Sequence, residues 1–256
     1  MTQSDHYSLL SVKKAIRLLR AFTVDEPEKG ITELAKDLEL PKSTVQRLVM
    51  TLVDEGFLKK NPETQRYRLG ESILGLSGVI TSSSELYNEA MPVLRRLVDS
   101  VGETSHIAIL DGLEVVYLQK VDCHHPVRLI THLGSRNPLH CTSSGKAILA
   151  HKEKQLFDQV VKNGLKPYTR NTITDPNQLM MELEKVRRQG YASDVNEVDE
   201  GTVSVAAPVR DYTGEVVAAI NIVGPIQRFA PYKIPQFAAK VMQAAQEVSR
   251  QLGYYR

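Results

Sequence analysis

The stretch Ile31-Thr32-Glu33-Leu34-Ala35-Lys36-Asp37-Leu38-Glu39-Leu40-Pro41-Lys42-Ser43-Thr44-Val45-Gln46-Arg47-Leu48-Val49-Met50 decides how the first quarter of this 256-residue chain folds. Ile31 to Leu38 predicts a short helix with Leu34, Ala35 and Leu38 turned inward, and small Ala35 lets a second helix approach closely. Thr32 is the expected N-cap, because its hydroxyl can accept a hydrogen bond from a free backbone N–H. Glu39-Leu40 supplies the turn. Pro41 suits the first turn of the next helix, having no N–H to leave unpaired. In that helix Val45, Leu48, Val49 and Leu52 form a buried stripe. Lys42, Ser43, Thr44, Gln46, Arg47 and Met50 lie mostly on the other side, and Gly56 ends the helix. The pattern is a helix-turn-helix whose second member turns hydroxyls, an amide and a guanidinium outward, the groups that read base edges and phosphates.

The flanking residues extend this reading. Upstream, Leu9, Val12, Ile16, Leu19 and Phe22 recur every three or four positions and predict an amphipathic helix over 8–22, with Lys13, Lys14, Arg17 and Arg20 on its polar face. The run from Asp25 to Gly30 is a loop. Downstream, Phe57 to Lys60 and Arg66 to Gly70 flank Asn61-Pro62-Glu63-Thr64-Gln65, two short strands around a turn. Such a hairpin directly after a recognition helix is a wing. Phe57, Tyr67 and Leu69 hold it to the domain and leave Lys59, Lys60, Arg66 and Arg68 free to touch phosphates. The whole chain has a net charge of only +2, so the local balance carries the argument. Between Lys42 and Arg68 six basic residues face three acidic ones. A helical module that binds protein instead of DNA is the alternative the helix pair alone leaves open.

Residues 1–70 therefore read as a winged helix-turn-helix domain, 71–84 as a linker helix closed by Thr81-Ser82-Ser83-Ser84, and 85–256 as a second domain. In the latter, helices are expected over Leu86–Val101, Ser143–His151, Glu153–Asn163, Asp175–Gln189 and Ile234–Leu252. Strands are expected over Thr104–Leu110 and Glu114–Val121, joined by the hairpin pair Asp111-Gly112, then Val127–Leu133, Val203–Arg210 and Glu215–Val223. Hairpins with flanking helices make the fold class α+β with a mainly antiparallel sheet. The composition, 42% hydrophobic and 24% charged, is that of a globular protein. No run approaches the ~18 apolar residues of a membrane span, and Met1 to Leu10 lacks the apolar core of a signal peptide. Two cysteines, Cys123 and Cys141, outside any CxxC pair, suit a reducing cytoplasm.

Several chemistries fail on spacing. Thr142-Ser143-Ser144-Gly145-Lys146-Ala147 looks like a phosphate loop, but the required first glycine is His140, and Ala147 stands where Ser or Thr is needed. The free N–H groups around Ser143, Ser144 and Gly145, aided by the helix dipole, still favour an anion such as a small carboxylate. Cys123, His124, His125, His132, His140 and Cys141 match no zinc spacing, so no metal is expected. No strand–GxSxG–helix elbow supports Ser/His/Asp catalysis, and neither a catalytic residue nor a cofactor is expected. A metabolite-processing enzyme with an accessory helical domain is the rival reading. Asp194 and Glu197 lie in a loop-like stretch after Gly190-Tyr191. They gain meaning only if they face Ser143.

Taken in order, these pieces resemble the IclR family of bacterial transcription regulators. The matching segments are Ile31-Thr32-Glu33-Leu34-Ala35, Leu40 to Leu48, and the wing from Gly56-Phe57-Leu58 to Tyr67-Arg68-Leu69-Gly70. In the second half they are Pro138-Leu139-His140 into Ser144-Gly145-Lys146-Ala147-Ile148-Leu149-Ala150, Gly190-Tyr191-Ala192-Ser193-Asp194 through Glu197 to Ala206-Ala207-Pro208-Val209, and Gly214 to Ile220 with Gly224-Pro225. The resemblance covers nearly the whole chain. It implies a GAF-like effector domain, a dimer made through the DNA-binding domains and often a tetramer, and a pseudo-palindromic operator in double-stranded DNA. It also implies repression more than activation, tuned by a small organic acid or aromatic metabolite. The positions it assigns to the effector pocket are Leu129, Ser143, Ser144, Asp194, Thr202, Ser204, Asn221 and Val223. Ser143 and Ser144 replace the small Gly or Ala residues common in the family at the helix turn. Asn221 and Val223 stand where some relatives have serines.

Overall fold

The computed structural model describes residues 9–125 and 131–255 of the chain. By its internal contacts the chain divides between Ser83 and Ser84 into two compact units.

The first unit carries α1 (Leu10–Leu19), α2 (Ile31–Leu38), α3 (Lys42–Asp54), β1 (Leu58–Lys60), β2 (Tyr67–Leu69) and α4 (Ser72–Ser82). Its core is Leu18, Phe22, Leu34, Ala35, Leu38, Val45, Val49, Leu58 and Tyr67. The inward residues of α2 are those the sequence indicates. The cap differs: α2 begins at Ile31, and the Glu33 carboxylate accepts from the Gly30 N–H at 2.8 Å, so Thr32 already lies inside the first turn. The inward stripe of α1 also differs. Leu18 is fully buried, whereas Leu9, Val12 and Ile16 are exposed. The amphipathic spacing thus marks an apolar strip that the unit's own core covers only at its C-terminal end, through Leu19 and Phe22.

β1 and β2 pair antiparallel, Leu58 opposite Leu69 and Lys60 opposite Tyr67. A third segment joins them: Lys29 and Tyr67 exchange both backbone hydrogen bonds at 2.9 Å. The wing is therefore sewn to Lys29, two residues before α2 begins. No residue of α4 is buried.

The second unit is a six-stranded antiparallel sheet in the order β5-β4-β3-β8-β7-β6. Its strands are β3 (Thr104–Asp111), β4 (Glu114–Val121), β5 (Arg136–Pro138), β6 (Ala192–Val195), β7 (Thr202–Arg210) and β8 (Val216–Pro225). Side chains alternate across it. Val203, Val205, Ala207 and Val209 pack with Ile220 and Ile222 against α5 (Glu85–Val101) and α9 (Ile234–Gln251). Ala206 and Ala219 face the other way, onto α6 (Ser143–Leu149) and α8 (Pro176–Gln189), with α7 (Lys154–Asn163) beside them.

Both edge strands depart from the sequence expectation. Of the strand expected over Val127–Leu133, residues 127–130 lie outside the described residues, and Thr131–Leu133 are not in a strand. The edge strand is Arg136–Pro138, paired with β4. At the opposite edge, Ala192–Val195, expected as loop, pairs with β7. Edge strands of three or four residues carrying Arg, Asn, Pro, Ser and Asp lack the β-branched alternation that marks inner strands. The helix α6 is pinned where it enters. Thr142 Oγ1 donates to the Pro138 carbonyl at 2.7 Å and accepts from the Gly145 N–H at 3.0 Å. Gly145 packs so tightly that a Cβ there would stand 2.5 Å from the Leu139 Cα and carbonyl oxygen.

Candidate functional site

In the first unit, Val45 and Val49 anchor α3 and fix what it shows to solvent. Lys42, Ser43, Gln46 and Arg47 are exposed and Thr44 is half-buried. Among the described residues none of these five side chains has a hydrogen-bond or ion-pair partner. The face is open and chemically unspent.

The wing cations differ from the expectation that all four are free. Arg66 donates to the Glu28 carbonyl at 2.9 Å and to the Glu33 carboxylate at 2.7 Å. Lys59 and Arg68 share Glu71 at 3.3 and 3.1 Å. Lys60 alone of the four meets no acid among the described residues; its ammonium lies 5.9 Å from the Tyr67 ring centre. Three of the positive charges are thus locally offset, because Glu28, Glu33 and Glu71 fold back onto the hairpin. The pairs stay half-exposed, so each holds its partner by little.

In the second unit a cavity of about 230 Å³ opens on the α6 side of the sheet. Asp194, Thr202, Ser204, Asn221 and Val223, brought from β6, β7 and β8, line it. Ser143 is buried behind them: Ser204 Oγ lies 2.7 Å from Ser143 Oγ and 3.4 Å from Asp194 Oδ2, and it can donate to only one at a time. Ser144 is buried, with a hydroxyl that finds no partner among the described residues, and does not line the cavity. Leu129 lies outside the described residues. The sequence did not single out Tyr117, Thr131, Asn137 and Thr142, which also line the wall.

Asp194 and Glu197 are not a solvated loop pair. Both are buried. Asp194 Oδ1 accepts from the Glu197 N–H at 2.7 Å, and Lys146 Nζ, itself wholly buried, donates to Glu197 Oε1 at 2.5 Å. Burial pushes the Asp194 carboxyl up to about 6, against the pull of Lys146. Burial likewise raises Glu197, to about 7. The one sequence clue to this cluster was a lysine set in the apolar run of α6.

On the adjoining strand, Asn221 Oδ1 accepts from the His106 N–H at 3.2 Å and sits 3.0 Å from His106 Nδ1. An oxygen accepting from the backbone is an acceptor, so Nδ1 carries the ring proton and Nε2 accepts from Thr131 Oγ1 at 3.0 Å. Burial lowers His106 to about 4, which keeps the ring neutral. The wall is thus rich in hydroxyls and amides. Asp194, Asp199 and Glu200 supply carboxylates, and among the described lining residues there is no lysine or arginine. Among the described residues no three His, Cys, Asp or Glu side chains gather as a metal site. Nor, among them, is any helix long and apolar enough to cross a membrane.

A helix-turn-helix with an open reading face, in one chain with a polar small-molecule cavity, defines a ligand-responsive DNA-binding regulator. Comparison with known proteins places it further. Residues 11–62 match the IclR helix-turn-helix domain, and residues 79–250 match the bacterial transcriptional regulator IclR C-terminal domain. The chain belongs to the IclR family. It is 33% identical over 249 residues to the HTH-type transcriptional regulator KdgR of Escherichia coli, covering 97% of this chain and 94% of that one. To the transcriptional repressor IclR of the same organism it is 32% identical, covering 96% and 91%. Among solved structures it resembles an IclR homologue from Microbacterium hydrocarbonoxydans complexed with 4-hydroxybenzoate, with a TM-score of 0.83 and 27% identity over 94% of this chain and 98% of that one. A metabolite-processing enzyme is excluded by this membership: the family is one of transcription regulators.

Proposed function

We propose that α3 enters the major groove of double-stranded DNA, with Ser43, Thr44, Gln46 and Arg47 reading base edges and Lys42 meeting phosphate. The observation that carries this is that Lys42, Ser43, Gln46 and Arg47 are exposed and, among the described residues, unpartnered, opposite an inner face held down by buried Val45 and Val49. Of the wing cations, Lys60 is the best placed for phosphate, and Lys59, Arg66 and Arg68 contribute only by exchanging their acids for it. Residues 1–70 act as the DNA-binding domain, 71–84 as a linker helix and 85–256 as the effector domain, and the protein works in the cytoplasm, where the DNA is.

The effector is a small organic acid or aromatic metabolite bearing a hydroxyl. Asp194 accepts from that hydroxyl, and Ser204, Asn221, Thr202 and Val223 shape the rest, with Ser143 setting Ser204. It regulates only so far as it binds the DNA-competent and incompetent states unequally. Repression is the favoured sign, as in the related transcriptional repressor IclR.

Self-association fits two apolar surfaces of the first unit. Leu74, Leu76, Val79 and Ile80 of α4 are 55–71% exposed, and Leu10, Val12 and Ile16 of α1 are 46–61% exposed. Patches of this kind mark interfaces. A dimer built there would select a pseudo-palindromic operator. Duplex selection from a random library by the full chain, followed by anisotropy titration with and without candidate acids, tests the reading. Failure to enrich any duplex would end it.

A further inference from the structure

Met50 is, among the described residues, the one large apolar side chain of α3 left exposed, at 52%. It takes no part in the core of its unit. At about 100° per residue it projects roughly 20° from Ser43, 40° from Gln46 and 60° from Arg47 around the helix axis. It therefore sits inside the reading face, not beside it. Along the axis it lies about 6 Å beyond Gln46, within two base-pair steps of the base that Gln46 would meet.

The neighbours of Met50 on this face are polar, and each has a polar group of the major groove to match. A thioether chain has only one apolar counterpart there, the C5-methyl of thymine. Methionine is also unbranched and polarizable, so it can settle against a methyl whose position varies by a few tenths of an ångström. We infer that Met50 is a specificity-determining residue that packs on a thymine C5-methyl one or two steps from the base read by Gln46 or Arg47. The inference rests on α3 being the reading helix, and adds an apolar contact to that helix's polar code.

The test uses the full-length protein and the duplex it selects from a random library. Each thymine of that duplex is replaced singly by deoxyuridine, which removes the methyl and leaves the pairing edge intact. At one position in each half-site the wild-type protein should bind roughly four-fold more weakly, the worth of one buried methyl group. In Met50→Ala that penalty should vanish, and in Met50→Leu, which keeps an apolar chain, it should persist. Circular dichroism and thermal melting of Met50→Ala, a change at an exposed site, confirm that the variant is folded. Absence of any uracil-sensitive position, or a penalty that survives in Met50→Ala, overturns the inference while leaving the reading helix standing. Failure to select a duplex overturns both.

Discussion

Lys146 Nζ stands 2.5 Å from Glu197 Oε1 with both side chains shut away from solvent, so a lysine on α6 is tied to a glutamate just beyond β6, whose backbone N–H in turn donates to the cavity-lining Asp194. Glu182 stands further off, at 4.0 Å, and Glu197 Oε2 has no hydrogen-bond partner among the described residues. Two ions in so dry a place are tolerable only as a pair, and with the Glu197 carboxyl raised to about 7 the pair is fully ionic only above that pH.

Removing one member should therefore be costly. Above about pH 7, where the Glu197 carboxyl is ionised, Lys146→Ala leaves it buried without its counter-charge and is expected to lose about 3–5 kcal/mol of unfolding free energy, less at lower pH where it takes up a proton. Adding Glu197→Gln to it should recover part of the loss. Urea unfolding of the two single variants and the double variant measures the coupling. Additive losses would mean that the pair is not the linkage described.

Asp194 ties stability to pH. Burial holds its carboxyl at about 6, above the ordinary 3.8. Between those values the folded chain keeps a proton that the unfolded chain has released. Stability from this group is then fully present below about 3.8, falls as pH rises, and levels off above about 6. Asp194→Asn has no such slope. The unfolding free energy of wild type relative to Asp194→Asn should fall by up to about 1.4 kcal/mol per pH unit across that window. A difference that stays flat would place the carboxyl in the ordinary range.

On the DNA side, Arg47→Ala should cost about 1–3 kcal/mol of binding to the selected duplex, concentrated at one base position. Lys60→Ala should weaken all sequences alike and reduce the salt slope by about one charge. Arg66, already held by Glu33 and the Glu28 carbonyl, should change that slope less than Lys60 does. Anisotropy titrations at several salt concentrations separate the three.

Gly145→Ala tests the pinning of α6. The added methyl would meet the Leu139 backbone at 2.5 Å, where no flexible side chain can yield. A loss of about 1–3 kcal/mol is expected, of the kind that overpacking causes. Because Ser143 and Thr142 move with the helix start, effector response should suffer before the fold does. Thermal melting and ligand-dependent anisotropy read the two separately.

The helix-turn-helix was legible because its pattern is local: Val45 and Val49 four apart, Pro41 at the start, Gly56 at the end. Long inner strands such as β7 and β8 declared themselves by β-branched residues. What stayed hidden depends on distant partners. Arg66 looks free until Glu33 and Glu28 fold beside it. Asp194 looks solvated until β6 adds to the sheet edge and buries it. The spacing in α1 marks an apolar strip but not how much of it is buried: Phe22 joins the core while Leu9, Val12 and Ile16 stay exposed. Tyr117, Asn137 and Thr131 reach the cavity from strand and loop positions that no spacing rule connects.

The backbone bridge between Lys29 and Tyr67 bears on how the protein meets a duplex. A hairpin joined at one end only would sample many orientations and would have to give them up on docking. Here two hydrogen bonds fasten its returning strand to the root of α2, and Asn61 Nδ2 at its turn donates to Glu28 at 2.9 Å. Its freedom is surrendered during folding, before any DNA arrives, so encounter requires little further ordering. Wing and reading helix then present themselves as one stiff template, whose tolerance for altered half-site geometry should be correspondingly narrow.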